Sequence, residues 1–311
     1  MFDGSRSSSF VRQAGVLLLL ALAAGAARAE EQRPLVPRFR SGVDLVKVTA
    51  TVRDVEGRLV GDLTRDDFEI FEDGRPQRIT QFDRGRVPVS LGVVLDVSQS
   101  MLGQRMDDAR GALQRFLVDL LEPGDEVFLM VFNHDPKLEA PWTLGPSRLR
   151  GRLERVRPYG ATAIYDALMM ALPLFSVRAH DRAAVVLISD GSDTASDFTR
   201  EDVRWQIRLS DAFVYAVGID APERRPINDR VNARLLRDIT AESGGYAEVI
   251  SDSPELAPAT ARIAEELNHQ YTLAYAPVRP PDGRYRRIQV RVRGGEHEVR
   301  ARRGYVALPR R

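Results

Sequence analysis

The hydrophobic pattern of the chain changes period twice. Val46, Val48, Ala50 and Val52 alternate with Lys47, Thr49, Thr51 and Arg53, the period of two of a half-buried strand. After a turn at Glu56-Gly57, Phe68, Ile70 and Phe71 lead through Asp73-Gly74 to Ile79 and Phe82. This reads as a hairpin whose Asp-Gly supplies the positive φ of a tight turn. Residues 42–87 thus form an N-terminal β segment, too thin to hold a core alone. From Pro88 the apolar runs become continuous and alternate with helical stripes. Leu91 to Leu95 and Val127 to Phe132 read as strands buried on both faces, and Met106, Ala109, Leu113, Phe116, Leu117 and Leu120 as one helix face, stopped by Pro123-Gly124. Leu138 to Leu144, with Pro141 inside it, suits an edge strand or an extended loop, and Leu149, Leu153 and Val156 mark a short helix. Ala183 to Ile188 is a natural central strand. Residues 212–219 and 246–250 read as further strands, 233–241 as a helix, and Leu256, Thr260, Ile263 and Leu267 as a closing helix.

This alternation predicts an α/β unit over residues 88–270, with a doubly wound, mainly parallel central sheet and helices on both faces. The period of two returns at Tyr271, Leu273 and Tyr275. After Pro280-Pro281-Asp282-Gly283 it continues as Ile288, Val290 and Val292 between Arg287, Gln289, Arg291 and Arg293. Residues 271–311 are therefore a C-terminal β segment. It is expected to pack with residues 42–87 in an accessory β-sandwich-like unit, with the α/β unit as an insertion between them.

Ahead of this lies Arg6 and Arg12, an apolar run from Ala14 to Ala24, and the small-x-small site Ala27-Arg28-Ala29. Residues 1–29 read as a signal peptide, and the proline-punctuated residues 30–41 as a linker. The apolar run is short for a membrane span, so no transmembrane segment is expected after cleavage; an uncleaved anchor is the alternative. The expected location is periplasmic, cell-surface or secreted. Removing the leader takes the net charge from +1 to about −1. Nucleic acid is not an expected partner. The arginine-rich C-terminal strands read as a solvated face, with an acidic partner or membrane surface as the alternative. The chain has no cysteine and only four, widely separated histidines, which excludes thiol chemistry and argues against a zinc site.

Candidate chemistry gathers at the ends of the buried strands. After Leu95 come Asp96, Ser98 and Ser100 in alternation, three hard oxygen groups that suit Mg²⁺, Mn²⁺ or Ca²⁺. Such loops also serve as turns or helix caps. Tyr159-Gly160-Ala161-Thr162 delivers Thr162 just before a helix, where it is either a site hydroxyl or an N-cap. Ile188 is followed by Ser189-Asp190-Gly191, placing Asp190 at the same sheet edge as Asp96, although Asp-Gly is also a common turn.

Asp96-x-Ser98-x-Ser100, the Gly160-x-Thr162 loop and Asp190-Gly191, in that order at strand ends, resemble the metal-ion-dependent adhesion site of von Willebrand factor A domains. The likeness covers roughly residues 88–270. Its flanks resemble bacterial proteins with a VWFA-related domain, through Phe68-Glu69-Ile70-Phe71-Glu72-Asp73-Gly74 and the Arg302-x-Gly304-Tyr305 ending. The resemblance implies Mg²⁺, or Mn²⁺ or Ca²⁺, at Asp96, Ser98, Ser100, Thr162 and Asp190. Ser98 and Ser100 would bind directly, Thr162 directly or through water, and the two aspartates mainly through water. Neutral hydroxyls leave the ion electrophilic enough to accept a carboxylate, so the implied partner is a protein presenting Asp or Glu, in adhesion or assembly. Gln99 stands where many relatives have Gly, and its side chain is expected to point away from the ion. No catalytic constellation accompanies the site, and the chain is not expected to be an enzyme. The alternatives are a hydrolase using the same ion, with Asp193, Asp135 or Asp166 as candidate carboxylates, and a structural module whose site is idle.

Overall fold

Four short strands open the chain in the computed structural model, which describes residues 45–144, 147–219 and 231–309. The expected leader and linker lie outside the described residues. The strands are β1 (Val46–Arg53), β2 (Phe68–Glu72), β3 (Arg75–Gln77) and β4 (Ile79–Asp83). β2 and β3 make the hairpin, turned by Asp73 at φ 48° and Gly74 at φ 79°. The second arm differs from expectation. It ends at Gln77, and Ile79 and Phe82 belong to β4, which crosses to another sheet and pairs with β11 (Tyr271–Tyr275). A single strand cannot satisfy both ladders, and the chain switches sheets at Arg78.

The C-terminal strands complete both sheets. With β12 (Tyr285–Val292), β13 (Glu298–Ala301) and β14 (Gly304–Val306), the orders are β13-β1-β11-β4 and β14-β12-β2-β3, antiparallel throughout. Their inward faces share one core. Val48, Ala50 and Val52 of β1 and Leu273 and Tyr275 of β11 meet Phe68 and Ile70 of β2 and Ile288 and Val290 of β12. The N- and C-terminal segments thus build one accessory sandwich.

Between them lies the six-stranded central sheet: β5 (Val89–Asp96), β6 (Glu126–Phe132), β7 (Lys137–Leu144), β8 (Arg182–Ser189), β9 (Phe213–Ile219) and β10 (Ala247–Ile250), in the order β10-β9-β8-β5-β6-β7. All neighbours are parallel except the edge strand β7. Its ladder is irregular opposite Pro141, which has no N–H to give. The helices are α1 (Gln104–Leu120), α2 (Ser147–Leu153), α3 (Ile164–Ala171), α4 (Arg200–Leu209), α5 (Ala233–Ser243) and α6 (Leu256–Asn268). Leu91, Val93 and Leu95 of β5 face Leu113 and Phe116 of α1, Leu149 of α2 and Ile263 of α6. Val94 faces the opposite layer, with Leu168 of α3, Val203 and Ile207 of α4 and Leu236 of α5. Helices on both sides explain why the strand sequences are apolar at every position.

The described residues form one compact unit. α6 and the accessory sandwich are joined by the buried Glu266, which accepts from Arg53 Nη2 of β1 at 3.0 Å, Tyr215 OH of β9 at 3.0 Å, and Arg300 Nη2 of β13. Gly244, at φ 95°, closes α5 against β13, where a Cβ would lie 2.6 Å from the Ala301 carbonyl carbon. No helix among the described residues is long and apolar enough to cross a membrane.

Candidate metal centre

The strand order reverses between β8 and β5: the chain leaves β5 towards β6 on one side and leaves β8 towards β9 on the other. The helices that follow, α1 and α4, cover opposite faces, so a crevice opens at the carboxyl ends of these two strands. That is where open α/β sheets bind ligands. Asp96 is the last residue of β5, and Asp190 immediately follows β8.

Local backbone bonds fix the surrounding loops. Val97 N–H donates to Phe132 O at 2.7 Å, Tyr159 N–H to Val97 O at 2.9 Å and Gln99 N–H to Gly160 O at 2.9 Å. The loop after β5 therefore lies directly against the loop carrying Thr162. Ala163 N–H donates to Asn133 O at 2.7 Å, and Asn133 Nδ2 donates to Tyr159 O at 3.1 Å, so the end of β6 holds the second loop. Thr162 is not the helix cap: that position belongs to Ala163, and the first-turn N–H groups of Tyr165 and Asp166 are met instead by Asp193 Oδ2 at 3.0 Å and Ser196 Oγ at 3.2 Å. Its backbone instead accepts from Thr194 N–H at 2.8 Å, next to the third loop.

Four of the five expected residues are joined by hydrogen bonds. Ser98 N–H donates to Asp96 Oδ1 at 2.7 Å, and Ser189 Oγ donates to Asp96 Oδ2. Ser100 Oγ gives its proton to Asp190 Oδ1 at 2.6 Å, so in the 2.9 Å contact between the two serine hydroxyls Ser98 is the donor. This relay points the hydroxyl protons towards Asp190. The fifth residue, Thr162, packs on Gly191, where a Cβ would lie 3.4 Å from Thr162 Oγ1. Thr162 is 6% exposed, and its hydroxyl, which makes no hydrogen bond to the described residues, is not sealed from solvent. Gln99 is exposed, in keeping with a side chain turned away from the crevice.

Electrostatically the crevice holds two buried carboxylates. Burial, and then the charge of Asp190, push the Asp96 carboxyl up to about 6, against the opposing hydrogen bonds from Ser189 and Ser98. A cation is the group that would relieve this. Among the described residues no three His, Cys, Asp or Glu side chains are grouped to hold a metal, so the donors would be three hydroxyls backed by two carboxylates. Such a set fits a hard divalent ion and not a soft one, and the two buried carboxylates set side by side are the structural feature that best matches it.

Two residues of the site went unseen in the sequence. Ser189, beside Asp190, carries no motif signal of its own. Arg105, in the first turn of α1, donates from Nη1 to Asp190 Oδ2 at 3.1 Å and to Ser100 O at 2.9 Å. Its partner is 85 residues away, beyond any local spacing signal. The candidate carboxylates for hydrolysis are differently placed. Asp193 accepts from Tyr165 N–H at 3.0 Å and Ser196 Oγ at 2.6 Å, and Asp166 accepts from the N–H groups of Asp197 and Phe198 at 3.1 and 3.0 Å. Both brace loops, and Asp135 is exposed.

Residues 91–192 match the family described as von Willebrand factor type A domain, a span that contains all five expected residues. An uncharacterized protein of Synechocystis sp. is 30% identical over 118 residues, covering 37% of this chain and 28% of that one. Human inter-alpha-trypsin inhibitor heavy chain H4 is 24% identical over 188 residues, covering 55% of this chain and 19% of that protein. The chain thus spans less than a third of the length of these curated relatives. Among solved structures, the von Willebrand factor type A protein of Catenulispora acidiphila superposes with a TM-score of 0.51 at 12% identity, over 86% of this chain and 74% of that one. Proximal thread matrix protein 1 from the mussel byssus gives 0.53 at 16% identity, over 63% of this chain and 51% of that one. The chain carries a von Willebrand factor type A fold, extended by the accessory sandwich.

Proposed function

We propose that this protein is a binding module that captures an acidic group of a partner protein through Mg²⁺, Mn²⁺ or Ca²⁺ held at the β5–β8 crevice. The single observation that carries the reading is the donor set: three hydroxyls brought to a topological switch point and backed by two buried carboxylates. Ser98, Ser100 and Thr162 would hold the ion, and Asp96 and Asp190 would orient the hydroxyls and balance charge. A divalent ion bound by neutral oxygens supplies a Lewis-acidic position at which a carboxylate can replace water. The chain's own contribution is orientation: the relay from Ser98 to Ser100 to Asp190 fixes the hydroxyls, and Asn133 fixes the loop of Thr162. The leader read at residues 1–29 would place this capture outside the cytoplasm, in adhesion or in assembly of an envelope structure.

Capture is favoured over turnover because Asp193 and Asp166 are engaged in loop bracing and offer no general base. The test uses an immobilised peptide bearing a single Glu and its Gln counterpart. Retention of the protein on the Glu peptide with Mn²⁺, lost with EDTA and absent on the Gln peptide, is the expected result. Equal retention on both peptides would refute capture. Hydrolysis of a phosphate ester that is lost on Asp96→Ala would favour the hydrolase instead.

A further inference from the structure

Arg105 is the one cation that enters the crevice from the chain itself among the described residues. Its side chain is 19% exposed, while that of Asp190 is 0% exposed. One nitrogen, Nη1, spans from the Ser100 carbonyl to Asp190 Oδ2, so α1 is tied to the end of β8 through the same carboxylate that receives the Ser100 proton. No part of the capture reading requires an arginine here. Bracing alone could be met by a neutral donor.

We infer that Arg105 is an internal counter-cation that makes the binding of the divalent ion and of the acidic group depend on one another. This rests on the proposed metal reading and extends it. Arg105 makes the crevice one charge less negative before the ion arrives. Attraction for a divalent ion is thereby weakened. Once the ion is in place, the same guanidinium leaves the crevice one charge more positive than a neutral residue would. The surplus is what an incoming carboxylate meets. Arg105 therefore lowers affinity for the ion alone and raises affinity for the carboxylate after it, so the ion is held firmly only when both are present. Because the pair with Asp190 is largely withdrawn from water, its influence is poorly screened. A unit charge so close to a divalent site shifts its affinity on the order of tenfold.

The experiment titrates Mn²⁺ into the full chain, following free Mn²⁺ by electron paramagnetic resonance, with and without saturating acetate. Wild type is compared with Arg105→Gln, which keeps donors and removes the charge, and Arg105→Lys, which keeps the charge. In wild type, acetate is expected to tighten Mn²⁺ binding. In Arg105→Gln, Mn²⁺ alone should bind on the order of tenfold tighter, and the gain from acetate should shrink by a similar factor. Arg105→Lys should retain the wild-type gain. The inference is overturned, with the metal reading intact, if wild type binds Mn²⁺ but Arg105→Gln binds it equally or more weakly. It is also overturned if Arg105→Lys behaves like the Gln variant, which would make Arg105 a hydrogen-bonding brace. If Arg105→Gln fails to fold, the Lys variant decides: retention of the acetate gain supports the inference and its loss overturns it. Absence of Mn²⁺ binding in wild type, even with acetate, would defeat the metal reading itself and the inference with it.

Discussion

Replacing Glu266 with Ala should cost the protein several kcal/mol, because this carboxylate joins α6 to both β9 and the accessory sandwich. Glu266 Oε2 accepts from Arg53 and Arg300, and Oε1 from Tyr215 OH at 3.0 Å and Thr51 Oγ1 at 3.4 Å. The Glu266 side chain is fully buried, while those of Arg53 and Arg300 keep 23% and 18% exposure. Removing one partner of a buried ion pair costs about 3–5 kcal/mol. Partial exposure of both guanidiniums places the expected loss at the lower end, about 3 kcal/mol. Equilibrium urea unfolding, followed by tryptophan fluorescence, measures it. Arg293→Ala, which removes an exposed pair with Glu69, serves as the control and should change stability by less than about 1 kcal/mol. The decisive form is a double-mutant cycle of Glu266→Ala with Arg300→Met. A coupling energy near zero would refute the reasoning, since the pair would then contribute nothing as a pair.

Three further outcomes are expected. Gly92→Ala should destabilise the protein by about 1–3 kcal/mol in urea unfolding, because a Cβ there would lie 2.4 Å from Phe128 Cζ in the packed layer under α3. In chelator, the raised Asp96 carboxyl contributes stability that is present below about pH 4 and lost as pH rises through about 6, a loss on the order of 3 kcal/mol. Asp96→Asn should therefore melt higher than wild type at pH 7.5 in EDTA, and this advantage should disappear at pH 4. Thr162→Val removes a hydroxyl without a hydrogen bond to the described residues, so its stability should stay within about 1 kcal/mol of wild type. Its Mn²⁺ affinity should nevertheless fall, as read by calorimetry.

The parts of the fold legible in the sequence are those that packing dictates locally. β5 and β8 are buried on both faces, so every position is apolar, and the polar residues that follow mark the crevice. α1 and α6 carry long apolar stripes. By contrast, α4 buries only Val203 and Ile207, too sparse a stripe to register, although Thr199 and Asp202 form a capping box that announces its start. β4 alternates weakly, with no buried residue, and its choice of sheet depends on β11, nearly the whole α/β unit away. The short strands β13 and β14 likewise take their identity from partners already in place. At the site, Asp96, Ser98, Ser100, Thr162 and Asp190 could be placed at loop ends by spacing. Arg105 and Ser189 could not, because their roles come from side chains that only the folded sheet brings near. Thr162 shows the limit of local rules: it stands where a cap is expected, yet the helix begins without using it.

The most direct test of the central claim is a Mn²⁺ titration of the full chain in acetate, wild type against Ser98→Ala. Metal capture by hydroxyls predicts saturable uptake at one site in wild type and its loss in the variant, with both proteins folded. Equal uptake by the two, or none by wild type at saturating acetate, would contradict it.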